Sequence, residues 1–135
     1  MINNIDVVKY AEDGRSWDSE RISRPSFDFI KESILRLDRF IYPFVWLNLS
    51  EDDESDQMVI TGGRGEYHVG IREGTYYFEI FDADRTSKIS CVWESDQGFE
   101  TNEFHLINNA KKVLDIARYY FDHNKRDPSV EWVED

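Results

Sequence analysis

The centre of the chain alternates between apolar and polar residues with a period of two, and this pattern limits the folds that the chain can adopt. In residues 67–71, 76–80 and 89–93 every second side chain is apolar. That period places one side of a β-strand in a core and leaves the other side outside it. Glycine-containing turns at 62–65 and 73–74 bound the first run, since glycine tolerates the positive φ of a tight hairpin. The pattern predicts an antiparallel meander.

Two further segments have the three-to-four-residue spacing of an amphipathic helix. The first covers residues 26–40, begins with Ser26 as a candidate N-cap and is stopped by Pro43. The second covers residues 108–123 and carries an apolar stripe that must lie against another surface. We expect one face of the sheet to supply that surface. The side chains that the second helix should bury there are Val113, Leu114, Ala117 and Phe121.

These patterns together predict an α+β fold in a single domain of residues 1–135. We expect an antiparallel β-sheet, a meander of about four to six strands, packed against an N-terminal and a C-terminal helix. The remaining assignments are strands at 5–10 and 44–49, an edge segment at 104–107 and a surface connection at 11–25. The side chains expected in the core of the strands include Trp46, Cys91 and Trp93.

The charge of the chain restricts the partners that it can bind. Asp and Glu number 28 against 16 Lys and Arg, which gives a formal net charge of −12 at pH 7. A hydrophobic fraction of 40% excludes a disordered chain in spite of this charge. The negative field repels nucleic acid and anionic lipid, and it speeds the encounter with a basic protein. We therefore expect a protein partner, no direct binding of nucleic acid and no membrane association.

No motif in the sequence supports catalysis or cofactor binding. Cys91 is the only cysteine, so a cysteine-based zinc site is excluded, and Glu66-x-His68 lacks the cysteine half of the zinc-deaminase signature. The glycines of 62–65 lead into a strand pattern, whereas a phosphate loop leads into a helix. The N-terminus lacks the basic region and apolar run of a signal peptide. We expect a cytoplasmic protein that is not an enzyme and uses neither metal nor cofactor.

The acidic side chains and one tryptophan are the candidate partner-binding residues. Five carboxylates occupy the six positions 51–56 and cannot be buried together, so this run is either a solvated loop that aids solubility or a docking surface for a basic partner. Trp17 lies in a polar segment and is a candidate exposed anchor. The full set of candidates is Glu51, Asp52, Asp53, Glu54, Asp56, Asp82, Asp84, Glu94, Asp96 and Trp17.

The C-terminal third resembles a family of small acidic immunity proteins from bacterial polymorphic toxin systems. The resemblance rests on the runs 106–110 (LINNA), 117–121 (ARYYF) and 127–132 (DPSVEW), and the glycine-rich turn and hairpin of 58–81 resemble the central sheet of that family. It covers roughly residues 44–135. The resemblance implies a cytoplasmic antitoxin that binds a cognate toxin, such as a deaminase or nuclease, and occludes its active site. It implies no catalytic residues.

Two other classes of function stay open at the level of sequence. One is an acidic adaptor or regulatory module that binds a different protein. The other is a small ligand-binding domain or enzyme that uses the concave face of the sheet, and a deep pocket with convergent polar groups would favour it.

Overall fold

The computed structural model describes residues 2–51 and 55–135. Strands dominate these ranges, together with two α-helices and one short 3-10 helix. In chain order the elements are β1 (Asn4–Tyr10), β2 (Trp17–Ser23), α1 (Phe27–Leu35), β3 (Phe44–Asn48), β4 (Asp56–Gly63), β5 (Glu66–Glu73), β6 (Tyr76–Ile80), β7 (Ile89–Trp93), β8 (Phe99–Asn102), the 3-10 helix (Glu103–His105), α2 (Ala110–His123) and β9 (Trp132–Glu134). No helix in the described ranges is long and apolar enough to cross a membrane.

Seven strands form one antiparallel sheet in the order β2-β1-β3-β4-β5-β6-β9, and β7 pairs with β8 in a separate hairpin. The α+β class and the antiparallel meander through β3, β4, β5 and β6 are confirmed. The predicted number of four to six strands is wrong. So is the placement of residues 89–93 in the meander, because they leave the sheet and pair with β8 instead.

Three strands were not predicted: β8, which pairs with β7, and β2 and β9, which lie at the two edges of the seven-stranded sheet. Residues 17–23 were predicted to be part of a surface connection, but they form β2, whose side chains are nearly all exposed. An edge strand that lies outside the core has no apolar alternation, which explains the error. At the other edge, β9 has only three residues and follows Pro128. The first two residues of the predicted edge segment at 104–107 belong to the 3-10 helix, and within the segment only Ile107 pairs with the sheet, at Tyr67.

Both helices pack on one face of the sheet and enclose the core. Ser26 and Asn109 cap them, each accepting hydrogen bonds from backbone amides in the first turn of its helix. The prediction that α2 buries Val113 and Ala117 is confirmed. The prediction for Leu114 and Phe121 is wrong, because both pack only partly buried at the margin of the core. The fully enclosed positions that face the sheet belong instead to Ile116 and Tyr120.

The first helix ends at Leu35, five residues before the predicted end at 40. The chain turns there because Arg39 takes a positive φ of 71° and the carboxylate of Asp38 accepts hydrogen bonds from the amides of Phe40 and Tyr42, at 3.0 and 2.9 Å. These bonds hold residues 37–42 in a loop that crosses the end of β4. A local carboxylate thus competes successfully with the helical periodicity.

The loop crosses the sheet so closely that only glycine fits beneath it. A Cβ atom on Gly63, which has a φ of 133°, would lie 2.4 Å from the carbonyl oxygen of Leu37. Asp38 forms an antiparallel bridge with Gly63 at this point. Arg64 and Gly65 then make the predicted hairpin turn, both with positive φ, and the chain continues as β5. No helix follows the turn, so the turn lacks the geometry of a phosphate loop.

Gly63→Ala should destabilise the protein far more than Gly65→Ala. The methyl group at Gly63 must displace backbone, at an expected cost of about 3 kcal/mol or more in the free energy of unfolding. The added methyl at Gly65 meets nothing within 4 Å, so only its positive φ of 87° costs stability, about 1 kcal/mol. Urea unfolding of both variants measures the difference. Equal losses would contradict the close crossing.

Candidate functional site: an aromatic groove on the open face of the sheet

The hairpin of β7 and β8 packs on the face of the sheet opposite the helices, against β4 and β5. Strand pleating sends Tyr10 from β1 and Phe44 and Trp46 from β3 to this open face, since Val7 of β1 and Val45 and Leu47 of β3, which have the opposite parity, lie in the core. The expectation that Trp46 and Trp93 are core residues is therefore wrong, because both are half-buried on the open face. Cys91 is likewise only partly buried.

Arg39 holds the hairpin in place over the sheet. Its guanidinium donates to the carbonyl of Gly63 at 2.8 Å and to that of Cys91 at 3.3 Å, so one side chain joins β4 to β7. Its carbonyl accepts from the amide of Glu94 at 2.7 Å. The hydroxyl of Ser95, a buried residue, adds a hydrogen bond to the carbonyl of Phe40 at 2.8 Å. The hairpin is thereby fixed to the same loop that crosses Gly63.

A groove of about 520 Å³ lies between this hairpin and strands β2, β1 and β3. A second pocket of about 240 Å³ adjoins it, shares Phe44, Trp46 and Trp93 with it, and continues to Phe99 on β8. Together they form one concave surface, called the aromatic groove below. The residues that define it are Tyr10, Trp17, Phe44, Trp46, Trp93 and Phe99, with Asp6, Arg21 and Asp96 as its charged members.

The rings of the groove contact one another, and several stay partly open to solvent. The ring centroids of Tyr10 and Trp17 lie 6.4 Å apart, and those of Tyr10 and Trp93 lie 6.1 Å apart, both in tilted arrangements. Phe44 stands edge-on to Trp93 at 5.1 Å. Trp17, which is 58% exposed, forms the outer wall on β2. Rings in mutual contact hold their positions, so the groove exists before any ligand arrives.

Asp96 closes one end of the groove. Its carboxylate accepts a hydrogen bond from the hydroxyl of Tyr10 at 3.0 Å, and its amide donates to the carbonyl of Gly14. Burial, together with this neighbouring carboxylate, raises the pKa of Tyr10 to about 12. Asp96 makes no salt bridge with a described residue, so its negative charge is not neutralised by a cation there.

The other carboxylate of the groove is fully compensated. The guanidinium of Arg21 donates two hydrogen bonds to the carboxylate of Asp6, at 2.8 and 2.9 Å, and the side-chain amide nitrogen of Asn48 donates to Asp6 at 3.0 Å. Arg21 also donates to the carbonyl of Glu51 at 2.9 Å, which joins the floor of the groove to the start of the acidic run. Asp6 is therefore structural, while Asp96 is the carboxylate that faces the groove without a cation.

A partly buried polar cluster of His68, Glu79 and His105 lies beneath the Phe99 end of the groove. The Nε2 of His68 lies 3.0 Å from Glu79 and the Nδ1 of His105 lies 3.4 Å from it, and the hydrogen bond to His68 lowers the pKa of that carboxyl. His68 was expected to point outward, yet it is 4% exposed and packs edge-on against Phe99. No group of three or more His, Cys, Asp or Glu in the described ranges has the geometry to hold a metal ion.

The structure brings two of the predicted partner-binding residues, Trp17 and Asp96, into the groove. Glu94 is adjacent but lies within 4 Å of Arg39 and Arg64, at 3.8 and 3.7 Å. The other described candidates do not line the groove, although the backbone carbonyl of Glu51 contacts Arg21 at its margin. Glu51 and Asp56 are exposed at the Asn4 end of the sheet, away from Tyr10, and Asp82 and Asp84 lie in the loop after β6. Asp52, Asp53 and Glu54 lie outside the described residues.

Sequence reasoning missed Tyr10, Phe44 and Trp46 as site residues. A signal was present in β1, where Ile5 and Val7 alternate with Val8 and Tyr10, so that both faces of the strand carry apolar side chains. A strand that is apolar on both faces needs cover on both sides. The helices cover one side of β1, and the groove lies on the other.

Comparison with known proteins gives no family. No protein-family model matches the chain, and no curated protein sequence matches it. The resemblance to immunity proteins therefore stays a prediction, and the function must be argued from the groove.

Asp96→Asn should lower the pKa of Tyr10 from about 12 towards its ordinary value of 10, while burial keeps it above 10. Ionised Tyr10 is disfavoured in the folded state, so its contribution to the free energy of unfolding is full below pH 10 and is lost as the pH rises through about 12. Carbon-13 NMR of labelled tyrosine measures the titration. Asp84→Asn is the matched control and should leave Tyr10 unchanged. A wild-type Tyr10 that titrates near 10 would contradict the contact.

Proposed function

We propose that this protein is an immunity-type inhibitor, which binds a toxin stoichiometrically through the aromatic groove and performs no chemistry. The observation that carries the proposal is the groove itself: an apolar concave surface with an exposed tryptophan on a strongly charged protein. Exposed apolar patches with a polar rim are typical of protein interaction sites. Tryptophan and tyrosine are also the side chains that most often dominate the energy of such interfaces.

The charge of the protein supports a basic partner. A net charge of −12 attracts a cationic surface over distances longer than a contact, and the acidic run at 51–56 adds to that field. A toxin that acts on nucleic acid needs a basic groove for the phosphates, and an acidic inhibitor can occupy that groove. In this proposal the acidic run speeds the encounter, and the aromatic groove sets the lifetime of the complex.

The rival class with specific support is a small-ligand site. A groove volume of about 520 Å³ is in the range of ligand pockets, and the raised pKa of Tyr10 is the kind of perturbation found in such sites. Against it, the polar groups do not converge, because Arg21 and Asn48 are engaged with Asp6. An adaptor that binds a different acceptor protein would use the same groove, and only the identity of the partner separates it from an inhibitor.

Co-expression with the protein encoded immediately upstream tests the proposal. That protein should stop growth when expressed alone, and growth should return when this chain is co-expressed and forms a one-to-one complex with it. Trp17→Ala should weaken the rescue. Tyr76→Ala should not, because Tyr76 is as exposed as Trp17, at 57% against 58%, but lies outside the groove. The proposal would be overturned if no complex formed. It would also be overturned if the Trp17→Ala variant rescued growth fully while the Tyr76→Ala variant did not rescue growth.

Neutralising all five carboxylates of the acidic run should slow association with that partner by about tenfold at low salt, because steering charge is removed. The substitutions are Glu51→Gln, Asp52→Asn, Asp53→Asn, Glu54→Gln and Asp56→Asn. Raising the salt concentration should slow the wild type more than the variant, since salt screens exposed charges over about 10 Å at 0.1 M. The free energy of unfolding should change little. Stopped-flow mixing at two salt concentrations measures the rates. A rate insensitive to both changes would leave the run a solubilising segment and the groove as the docking surface.

A further inference from the structure

One end of the aromatic groove combines three aromatic rings with a carboxylate. Tyr10 lies between Trp17 and Trp93, and the carboxylate of Asp96 is held against the Tyr10 hydroxyl. We call this set of four side chains the aromatic corner. Aromatic faces carry partial negative charge, so the rings and the carboxylate together attract a cation.

The carboxylate of Asp96 in the aromatic corner is preorganised, because hydrogen bonds fix its position. Asp96 has a positive φ of 50°, and two hydrogen bonds fix it, one to Gly14 through its amide and one from Tyr10 to its Oδ2. The second oxygen, Oδ1, has no described partner within the protein and can accept from outside. A carboxylate that is already in position loses little entropy when it binds.

The rings of the corner also lack the cations that cover other rings of the protein. Arg36 lies 4.4 Å from the ring centre of Tyr42, Arg118 lies 4.9 Å from that of Phe27, and Arg126 lies 3.7 Å from that of Phe78. In the described ranges no such cation–π contact involves a ring of the corner. Arg21 lines the same groove, but its guanidinium is engaged by Asp6.

We infer that the aromatic corner is the binding site for an arginine side chain of the partner protein, an inference that rests on the proposed function and names the chemistry that the groove recognises. A guanidinium is flat and weakly hydrated, so it can stack on the exposed ring of Trp17 while one of its N–H groups donates to Asp96. A lysine ammonium fits less well, because it is a strongly hydrated point charge that cannot stack. The net charge of −12 favours cationic ligands over neutral ones at the same site.

Binding of short peptides to the isolated protein tests the inference without the partner. The probe is an acetylated and amidated Gly-Arg-Gly peptide, and its matched control carries citrulline, which has the shape of arginine without the charge. Nitrogen-15 NMR follows the indole N–H signals of Trp17 and Trp93. We expect millimolar binding of the arginine peptide, and about fivefold weaker binding of the citrulline peptide because the cation–π attraction is lost. The lysine peptide should fall between them.

Two variants with matched controls locate the site. Asp96→Asn should weaken the arginine peptide about two- to fivefold, whereas Asp84→Asn, an equal change of charge outside the groove, should not. Asn tolerates a positive φ and can still accept from Tyr10, so the fold is preserved. Trp17→Ala should weaken binding as well, and Tyr76→Ala should not.

Three results of the peptide experiments would show that the aromatic corner is not an arginine site. Equal affinity for the arginine and citrulline peptides would overturn the cation site, and so would tighter binding of the lysine peptide. The site would also be overturned if the indole signals did not shift at about 50 mM arginine peptide, a concentration well above the expected dissociation constant. The proposed function and the arginine site can fail independently. If the inhibitory complex forms and its affinity is unchanged by Asp96→Asn, the proposed function stands and the arginine site is wrong. Selective binding of arginine without any inhibitory complex would leave the site and overturn the function.

Discussion

The close passage of the loop at 37–39 over Gly63 is the constraint on which the open face of this protein depends. The loop can lie there only because Gly63 has no side chain, and Arg39, which leaves the loop with a positive φ, then joins β4 to the hairpin of β7 and β8. The hairpin in turn brings Trp93 and Asp96 beside Tyr10. Without the crossing, the sheet would keep its core on the helical side but lose one wall of the groove.

The parts of the fold that the sequence predicts are those in which local pattern and tertiary contact agree. The alternation of β5 places Tyr67, Val69 and Ile71 in the core, and α2 buries Val113 and Ala117 there as its spacing predicts. Ser26 caps the start of α1, also as predicted. Prediction failed where long-range contacts decide the structure. Helix α1 ends before its predicted end because the loop at 37–39 crosses Gly63. Strand β2 forms through backbone pairing with β1, although nearly all of its side chains stay exposed.

The candidate site was predictable only in part for the same reason. The sequence predicts Trp17 as an anchor because it is apolar in a polar segment, and Asp96 as one of many exposed carboxylates. No local feature of either residue indicates that they share a groove. Their common neighbour Tyr10 is 86 residues from Asp96 along the chain. Glu51 and Asp56, which bound the conspicuous acidic run, lie at the other end of the sheet. We propose that the acidic run attracts the partner and sets the association rate, whereas the rings of the aromatic groove set the lifetime of the complex. These two roles therefore belong to different parts of the surface.

Hydroxyl-radical footprinting of the free protein and of its complex with the co-expressed partner tests whether the aromatic groove is the binding surface, because it measures the accessibility of individual side chains. In the free protein, Trp17 and Phe99 are exposed at the two ends of the groove, while Leu35 and Tyr76 are exposed elsewhere. If the partner binds in the groove, it should protect Trp17 and Phe99 from oxidation and leave Leu35 and Tyr76 reactive. Protection of Leu35 and Tyr76 with an unchanged Trp17 would place the interface outside the groove, and the groove would not be the docking surface.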